Sequence, residues 1–138
     1  MNKFNYIGIV AGVLLSGYAM AAEWAPITQG ESTVREVDTS SIVQKGAVAT
    51  FVARHTFADK EDYIVGRREV KFLQIVTRAN CDSRTMAQLA TEAYDKNMGL
   101  IGKQQIQLPQ DNPVLQGSID ESVLNFICAT GRPLQKQP

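Results

Sequence analysis

The stretch Glu69–Cys81, EVKFLQIVTRANC, decides how this chain folds. Its alternation is interrupted by two pairs of consecutive apolar residues, Phe72-Leu73 and Ile75-Val76. Such pairs are typical of a central strand that is covered on both sides, or of a strand with a β-bulge. We therefore predict that Glu69–Asn80 is the longest strand. It ends directly before Cys81, one of only two cysteines in the 138 residues.

The second cysteine, Cys128, lies in the segment with the clearest helical pattern. Ser118 and Glu121 form a capping box, in which Ser118 caps the helix start and Glu121 reaches back to it. Gly131 is expected to end the helix, and Pro133 prevents its return. One apolar stripe follows helical spacing and consists of Ile119, Val123, Phe126 and Ile127.

The two cysteines are expected to form a disulfide that joins this helix to the end of the long strand. An even number of cysteines in a small exported chain is typical of a disulfide. Closing a loop of about 48 residues would stabilise the fold by roughly 4 kcal/mol. A redox or metal pair is disfavoured, because the chain has no C-x-x-C motif and only one histidine.

Residues 1–21 have the three parts of a cleavable secretory signal. Lys3 supplies the positive start, Ile7–Tyr18 is the apolar core, and Ala19-Met20-Ala21 is a small-x-small cleavage pattern. A membrane anchor is the rival interpretation, but a spanning helix needs about 20 apolar residues. No cysteine near the cleavage point could carry a lipid. We expect a soluble chain in the periplasm, or secreted to the cell surface, without stable membrane insertion.

The remaining 117 or so residues suit one domain, predicted at 22–131 and followed by a flexible tail at 132–138. The full chain has 14 basic and 14 acidic residues, and loss of Lys3 leaves a net charge of −1. A chain this close to neutral lacks the basic surface that nucleic-acid binding requires. With 44% hydrophobic residues it is neither disordered nor built of membrane spans.

Most apolar residues recur with a period near two, which predicts strands. Pro26 suggests that the first strand lies at a sheet edge. Asp38–Ser41 is predicted as a turn or a single helical turn capped by Asp38. The predicted strands are Glu23–Thr28, Val34–Val37, Ala47–Phe57 and Leu100–Gln107, and the predicted loops are Ala58–Gly66 and Leu108–Gln116.

Arg84–Tyr94 is ambiguous from the sequence. Its alternation is weak, and Met86–Ala90 has good helix propensity. The short turn Asp95–Gly99 joins antiparallel strands more readily than it joins a helix to a strand, so a strand is favoured. The whole pattern predicts an α+β fold, with an antiparallel sheet of about five or six strands and a C-terminal helix packed on it.

No catalytic or cofactor motif accompanies this fold. His55, the single histidine, alternates in line with Phe51 and Phe57 and is interpreted as a partly buried strand residue. Asp95-x-Asn97-x-Gly99 resembles the start of a calcium loop but lacks the later ligands, so it is interpreted as a turn. We expect no enzyme activity, no metal and no cofactor.

Four residues remain as weak candidates for a binding surface. Arg67, Arg68 and Lys71 form a local basic cluster, although a solvated strand edge explains them as well. Alternation would place Arg67 and Lys71 on one strand face and Arg68 on the other. Trp24, at the start of the mature chain, is either a binding anchor or a core residue.

The order of these features resembles the surface-adhesin protein E family. Val37–Ile42, followed by Lys45-Gly46, is similar to its "VD-x-x-SI … G" signature. Gly117–Cys128 is similar to its "PGS-x-x-E … C" ending, with Gln116 in place of the proline. Other matching positions are Trp24, Asn80-Cys81-Asp82, Arg84 and Tyr94.

This resemblance implies a small α+β domain with one disulfide, found on the surface of Gram-negative bacteria. Some members bind host matrix or serum proteins, so an exported, non-catalytic binding protein is expected. The alternative is a soluble periplasmic protein that maintains the envelope through a bacterial partner. Exposed strand edges would also allow a homodimer through sheet pairing.

Overall fold

The computed structural model describes residues 21–28, 34–57 and 64–130. In these residues the segments with alternating apolar residues form strands, and the segment with the apolar stripe near the C-terminal end forms the helix. The elements are β1 (Trp24–Thr28), β2 (Val34–Lys45), β3 (Val48–Thr56), β4 (Ile64–Val65), β5 (Arg68–Glu69), β6 (Phe72–Asn80), β7 (Thr85–Tyr94), β8 (Leu100–Gln105), β9 (Asn112–Pro113) and α1 (Ile119–Thr130).

The long strands form one antiparallel sheet in the order β1-β2-β3-β6-β7-β8. The two-residue strand β9 pairs with β7 as a seventh strand, and β4 and β5 form a separate hairpin. This arrangement, with its single described helix, confirms the predicted α+β class. The edge position predicted for the first strand from Pro26 is also confirmed among the described residues.

The core lies between one face of the sheet and α1. On β3, Phe51 is 1% exposed and Ala53 is also buried. The helix contributes Val123 and Ile127 from the predicted stripe, and also Leu124, which is 0% exposed. Since strand residues alternate between faces, the even-numbered residues of β3 point away from α1.

The disulfide between Cys81 and Cys128 is confirmed. Its sulfur atoms are 2.16 Å apart and the two Cα atoms 5.8 Å apart. Asn80 Oδ1 accepts hydrogen bonds from the backbone N–H groups of Asp82 and Ser83, each at 3.0 Å, which shapes the turn after β6. The bridge therefore links a well-defined turn to the last part of α1.

The prediction of a turn at Asp38–Ser41 was wrong, because β2 continues through it to Lys45. The register against β3 shifts between Asp38 and Val43, so the segment is a bulge in a strand. Ser41 Oγ donates to the Asp38 carbonyl at 2.6 Å and accepts from the Val52 N–H at 2.8 Å. The hydroxyl thus replaces a ladder contact that the bulge removes.

The prediction that Glu69–Asn80 forms the longest strand was also wrong. Arg68 and Glu69 belong to the hairpin strand β5, and β6 begins at Phe72. β2 is longer, with 12 residues. Val70, 1% exposed, occupies the interior between the two strands. The register between β6 and β7 shifts at Val76/Thr77, but the extra residue there is Leu89 of β7, so the bulge lies in the partner strand.

The ambiguous segment is a strand, because β7 runs from Thr85 to Tyr94. Pairing with β6 on one side and β8 on the other outweighs the local helix propensity. The predicted loop over 108–116 contains the short strand β9. The predicted loop over 58–66 contains the short strand β4. Residues 1–20 of the predicted signal at 1–21, residues 58–63, the helix stop at Gly131 and the tail at 132–138 lie outside the described residues.

Candidate binding surface

The face of the sheet that points away from α1 carries the most organised group of charged and aromatic side chains. We call it the open face and define it by Trp24, Glu36, Arg54, Phe72 and Tyr94. Strand pairing aligns charged and polar residues in one row across it. From β1 to β8 the row is Pro26, Glu36, Arg54, Gln74, Glu92 and Lys103.

Arg54 is the centre of this face. Its guanidinium carbon lies 4.2 Å from the centroid of the Trp24 ring and 5.5 Å from that of Phe72. Both Nε and Nη2 lie 2.7 Å from Glu36 Oε2. The Arg54 and Glu36 side chains are 18% and 19% exposed, so this ion pair is mostly shielded from water. Side chains from β1, β2 and β6 therefore hold the cation of β3 in a fixed position close to two aromatic rings.

A second polar group continues the row on β7 and β8. The Tyr94 hydroxyl donates a hydrogen bond to Glu92 Oε2, and Lys103 Nζ lies 3.5 Å from Glu92 Oε1. The hydrogen bond to Glu92 raises the pKa of Tyr94 to about 12, with further contributions from burial and from the negative charge of Glu92. The phenol is consequently neutral at every physiological pH.

The four residues that the sequence suggested for a binding surface do not lie together in the structure. Trp24 lies on the open face, whereas Arg67 is exposed in the turn of the β4–β5 hairpin. Arg68 Nη2 is 2.6 Å from Asp95 Oδ2, and Lys71 lines the same groove of about 510 Å³. The predicted alternation of these basic residues along one strand was wrong, because the hairpin turn and β5 precede β6.

The groove beside Arg68 is built around a tight turn. Asp95 Oδ1 accepts the N–H groups of Asn97 at 2.9 Å and Gly99 at 2.8 Å. The hydrogen bond from the Gly99 N–H is the largest influence on the pKa of Asp95. Together with the Asn97 N–H and Arg68 it outweighs the opposing effect of burial and holds that pKa below its usual value. The segment is therefore the hairpin turn that the sequence predicts, and its carboxylate neutralises Arg68.

Sequence reasoning missed Arg54 and Glu36, the charged centre of the open face. The available signal was the alternation of β3, which puts Arg54 on the face opposite Phe51 and Ala53. Its partner could not be identified, because the register of β2 depends on the bulge after Asp38. Trp24 was identified as a candidate, but its stacking on Arg54 was not predicted.

Within the described ranges, the chain offers little for metal chemistry or membrane insertion. No group of three or more His, Cys, Asp and Glu side chains there could hold a metal ion. The half-buried His55 lies with its ring centroid 4.4 Å from that of Phe57. The described helix is too short and too polar to cross a membrane.

Fold and surface together define a small disulfide-linked α+β domain, with a helix on one face of an antiparallel sheet and an aromatic–guanidinium cluster on the other. The chain belongs to the surface-adhesin protein E family, whose model matches residues 24–129. The matched range begins at Trp24 and runs one residue past Cys128. Membership of this family indicates a surface or secreted, adhesin-like protein.

Solved structures of Haemophilus influenzae protein E share the fold. One is 16% identical, with a TM-score of 0.59 over 78% of this chain and 86% of that one. A crystal structure of protein E from non-typeable H. influenzae is also 16% identical, with a TM-score of 0.54 over 77% and 75% of the two chains. No curated protein sequence matches the chain.

Proposed function

We propose that this protein is an exported, non-catalytic binding protein that attaches to a host matrix or serum protein through its open face. The arrangement of Arg54 between Trp24 and Phe72 is the observation that supports this proposal most directly. Tryptophan, tyrosine and arginine are the residues that most often dominate protein–protein binding. Here they are held by strands, so little conformational entropy is lost when a partner binds.

The charge pattern of the open face favours a protein partner over a polyanion. Arg54 is paired with Glu36, and Lys103 lies near Glu92, so the face alternates in sign along its row. A surface with balanced charges provides orientation and specificity rather than strong general attraction. Glycosaminoglycans would instead require an excess of cations.

Binding of separately coated fibronectin, laminin and fibrinogen by the purified mature protein tests this proposal. We expect saturable binding to at least one of them, and a loss of at least tenfold in affinity for Trp24→Ala and for Arg54→Gln. Arg67→Ala is the matched control, because it removes an exposed charge from the hairpin without touching the open face. A surface coated with serum albumin serves as the negative control.

Two results would contradict the proposal. If Arg67→Ala abolishes binding while Trp24→Ala and Arg54→Gln bind normally, the hairpin and not the open face is the binding surface. If none of the three coated proteins binds above albumin, the adhesive function is wrong. Circular dichroism of each variant separates loss of binding from loss of fold.

A periplasmic role with a bacterial partner is the second candidate. Both cysteines of the chain are used in the disulfide, so neither can carry a lipid anchor. Protease treatment of intact cells distinguishes the two candidates, since a surface adhesin is degraded and a periplasmic protein is protected. A homodimer through the edges of β1 or β8 stays a prediction, which sedimentation of the purified protein would test.

A further inference from the structure

A cleft lies on the helix side of the sheet, opposite the open face that is proposed to bind a protein. It lies between the start of α1, residues 112–115 and the core face of the sheet, and its volume is about 260 Å³. Its floor is formed by Ile75, Ala87 and Val123, which are 7%, 2% and 2% exposed. The cleft therefore reaches down to the hydrophobic core.

Arg35 of β2 is the single cation among the residues that line this cleft. Its Nε is buried and has no hydrogen-bond partner among the described residues. An unpaired polar group at this depth destabilises the fold, and a charged one does so more strongly. An anion placed in the cleft would give the Arg35 guanidinium a charged partner, which is the feature that points to a ligand.

The other lining residues restrict the chemistry of the anion. Asp120, on the rim, is the single acidic residue of the lining and would repel a doubly charged group such as phosphate. Thr77, 4% exposed, adds a hydroxyl among apolar side chains. The volume lies just below the range of about 300–1,000 Å³ that is usual for drug-sized ligands. A small monoanion with an apolar body fits these limits.

We propose that this cleft binds a small monocarboxylate with a compact apolar body, and that Arg35 holds its carboxylate. Arg binds carboxylates through two parallel N–H···O bonds, a geometry that one guanidinium provides alone. The apolar body lies against Ile75, Ala87 and Val123. The site is independent of the open face, since Arg35 and Arg54 lie on opposite faces of the sheet.

Titration of the ¹⁵N-labelled mature protein with 4-methylpentanoate tests the proposal by NMR. We expect saturable shifts in the amides of Ala87 and Val123 and a dissociation constant below 10 mM. The uncharged 4-methylpentanamide has the same body and should bind at least tenfold more weakly. Arg35→Gln should weaken the acid at least tenfold, whereas Arg54→Gln, on the opposite face, should leave its affinity unchanged.

Several outcomes would overturn the proposal. Equal affinity for the acid and the amide would show that Arg35 does not anchor the ligand, and this comparison needs no variant to fold. Shifts confined to the open face, or no shifts up to 20 mM acid, would also do so. Tighter binding of N-acetyl-alanyl-leucine would assign the cleft to a peptide end instead of a small molecule.

Discussion

Asp38 shows how one side chain supports the junction between β1 and the bulge of β2. Its Oδ1 accepts the N–H of Glu23 at 2.9 Å, the N–H of Ser40 at 3.0 Å and the Ser40 hydroxyl at 2.5 Å. Burial acts to raise the pKa of Asp38, but the bond from the Ser40 hydroxyl and the backbone bonds together lower it. The charged carboxylate is therefore the form that the fold stabilises.

Replacing Asp38 with Asn should lower the free energy of unfolding by about 1 kcal/mol at pH 7, because hydrogen bonds to a charged acceptor are stronger than those to an amide. Because the pKa of Asp38 is lower in the folded state, its charged carboxylate contributes to stability. This contribution is fully present above the unfolded-state pKa of about 3.9, and it is lost as the pH falls through the folded-state pKa. The difference between wild type and variant should therefore shrink below about pH 4. Urea unfolding at pH 7 and pH 3 measures this.

The exposed Asp82→Asn is the control for that experiment and should change stability by less than about 0.5 kcal/mol. A destabilisation of Asp38→Asn that is the same at both pH values would mean that charge is not involved. The effect would then reflect only the altered shape of the side chain.

Tyr94 gives a prediction at the opposite end of the pH range. Its pKa is raised to about 12, from an ordinary value near 10. Below about pH 10 the protonated phenol stabilises the fold, and this contribution is lost as the pH rises from about 10 to 12. Absorbance at 295 nm should show a late ionisation step that Tyr94→Phe removes. Retention of that step in the variant would assign it to another tyrosine.

The helix α1 depends on how its first turn is capped. Ser118 Oγ accepts the N–H of Glu121 at 3.2 Å, and Glu121 Oε1 accepts the N–H of Gly117 at 3.3 Å. The predicted capping box is thus formed with one change, since Glu121 reaches Gly117 instead of Ser118. Farther along, Arg84 Nη2 donates to Asn125 Oδ1 at 2.9 Å and so links the β6–β7 turn to the helix.

Ser118→Ala should lower the free energy of unfolding by about 1 kcal/mol, since loss of an N-cap leaves a backbone N–H without its partner. Ser122→Ala lies on the same helix and is the matched control, because alanine is well tolerated in a helix interior. The expected decrease in the urea midpoint for Ser118→Ala is about 0.5–1 M. Equal midpoints for the two variants would show that the cap contributes nothing.

At the scale of elements, local patterns predicted most of the fold, and non-local pairing decided the rest. Alternation located β3, and the capping signals located α1. The strand β7 was ambiguous because its helix propensity is a local property, whereas its pairing with β6 and β8 is not. The bulge after Asp38 was misinterpreted as a turn, because short polar side chains bond to the backbone in both structures.

At the scale of the whole molecule, the sheet separates two surfaces with different chemistry. Trp24 and Arg54 are 30 positions apart in the sequence and meet only because β1, β2 and β3 are neighbours. No local pattern could have predicted that contact. Arg35 reaches the helix-side cleft for a similar reason, since β2 follows β1 in the sheet and places odd-numbered residues towards the core.

The disulfide is the covalent link between α1 and the sheet, and its removal is the strongest test of the architecture. In the chain-entropy model a loop with a sequence separation of 47 is worth about 4 kcal/mol, a large share of a typical total stability of about 5–15 kcal/mol. The double variant Cys81→Ala/Cys128→Ala should lose about that amount in urea unfolding. Dithiothreitol should destabilise the wild type by a similar amount and leave the double variant unchanged. A loss below about 1 kcal/mol would mean that core packing around Leu124 and Ile127 holds the helix without the bridge.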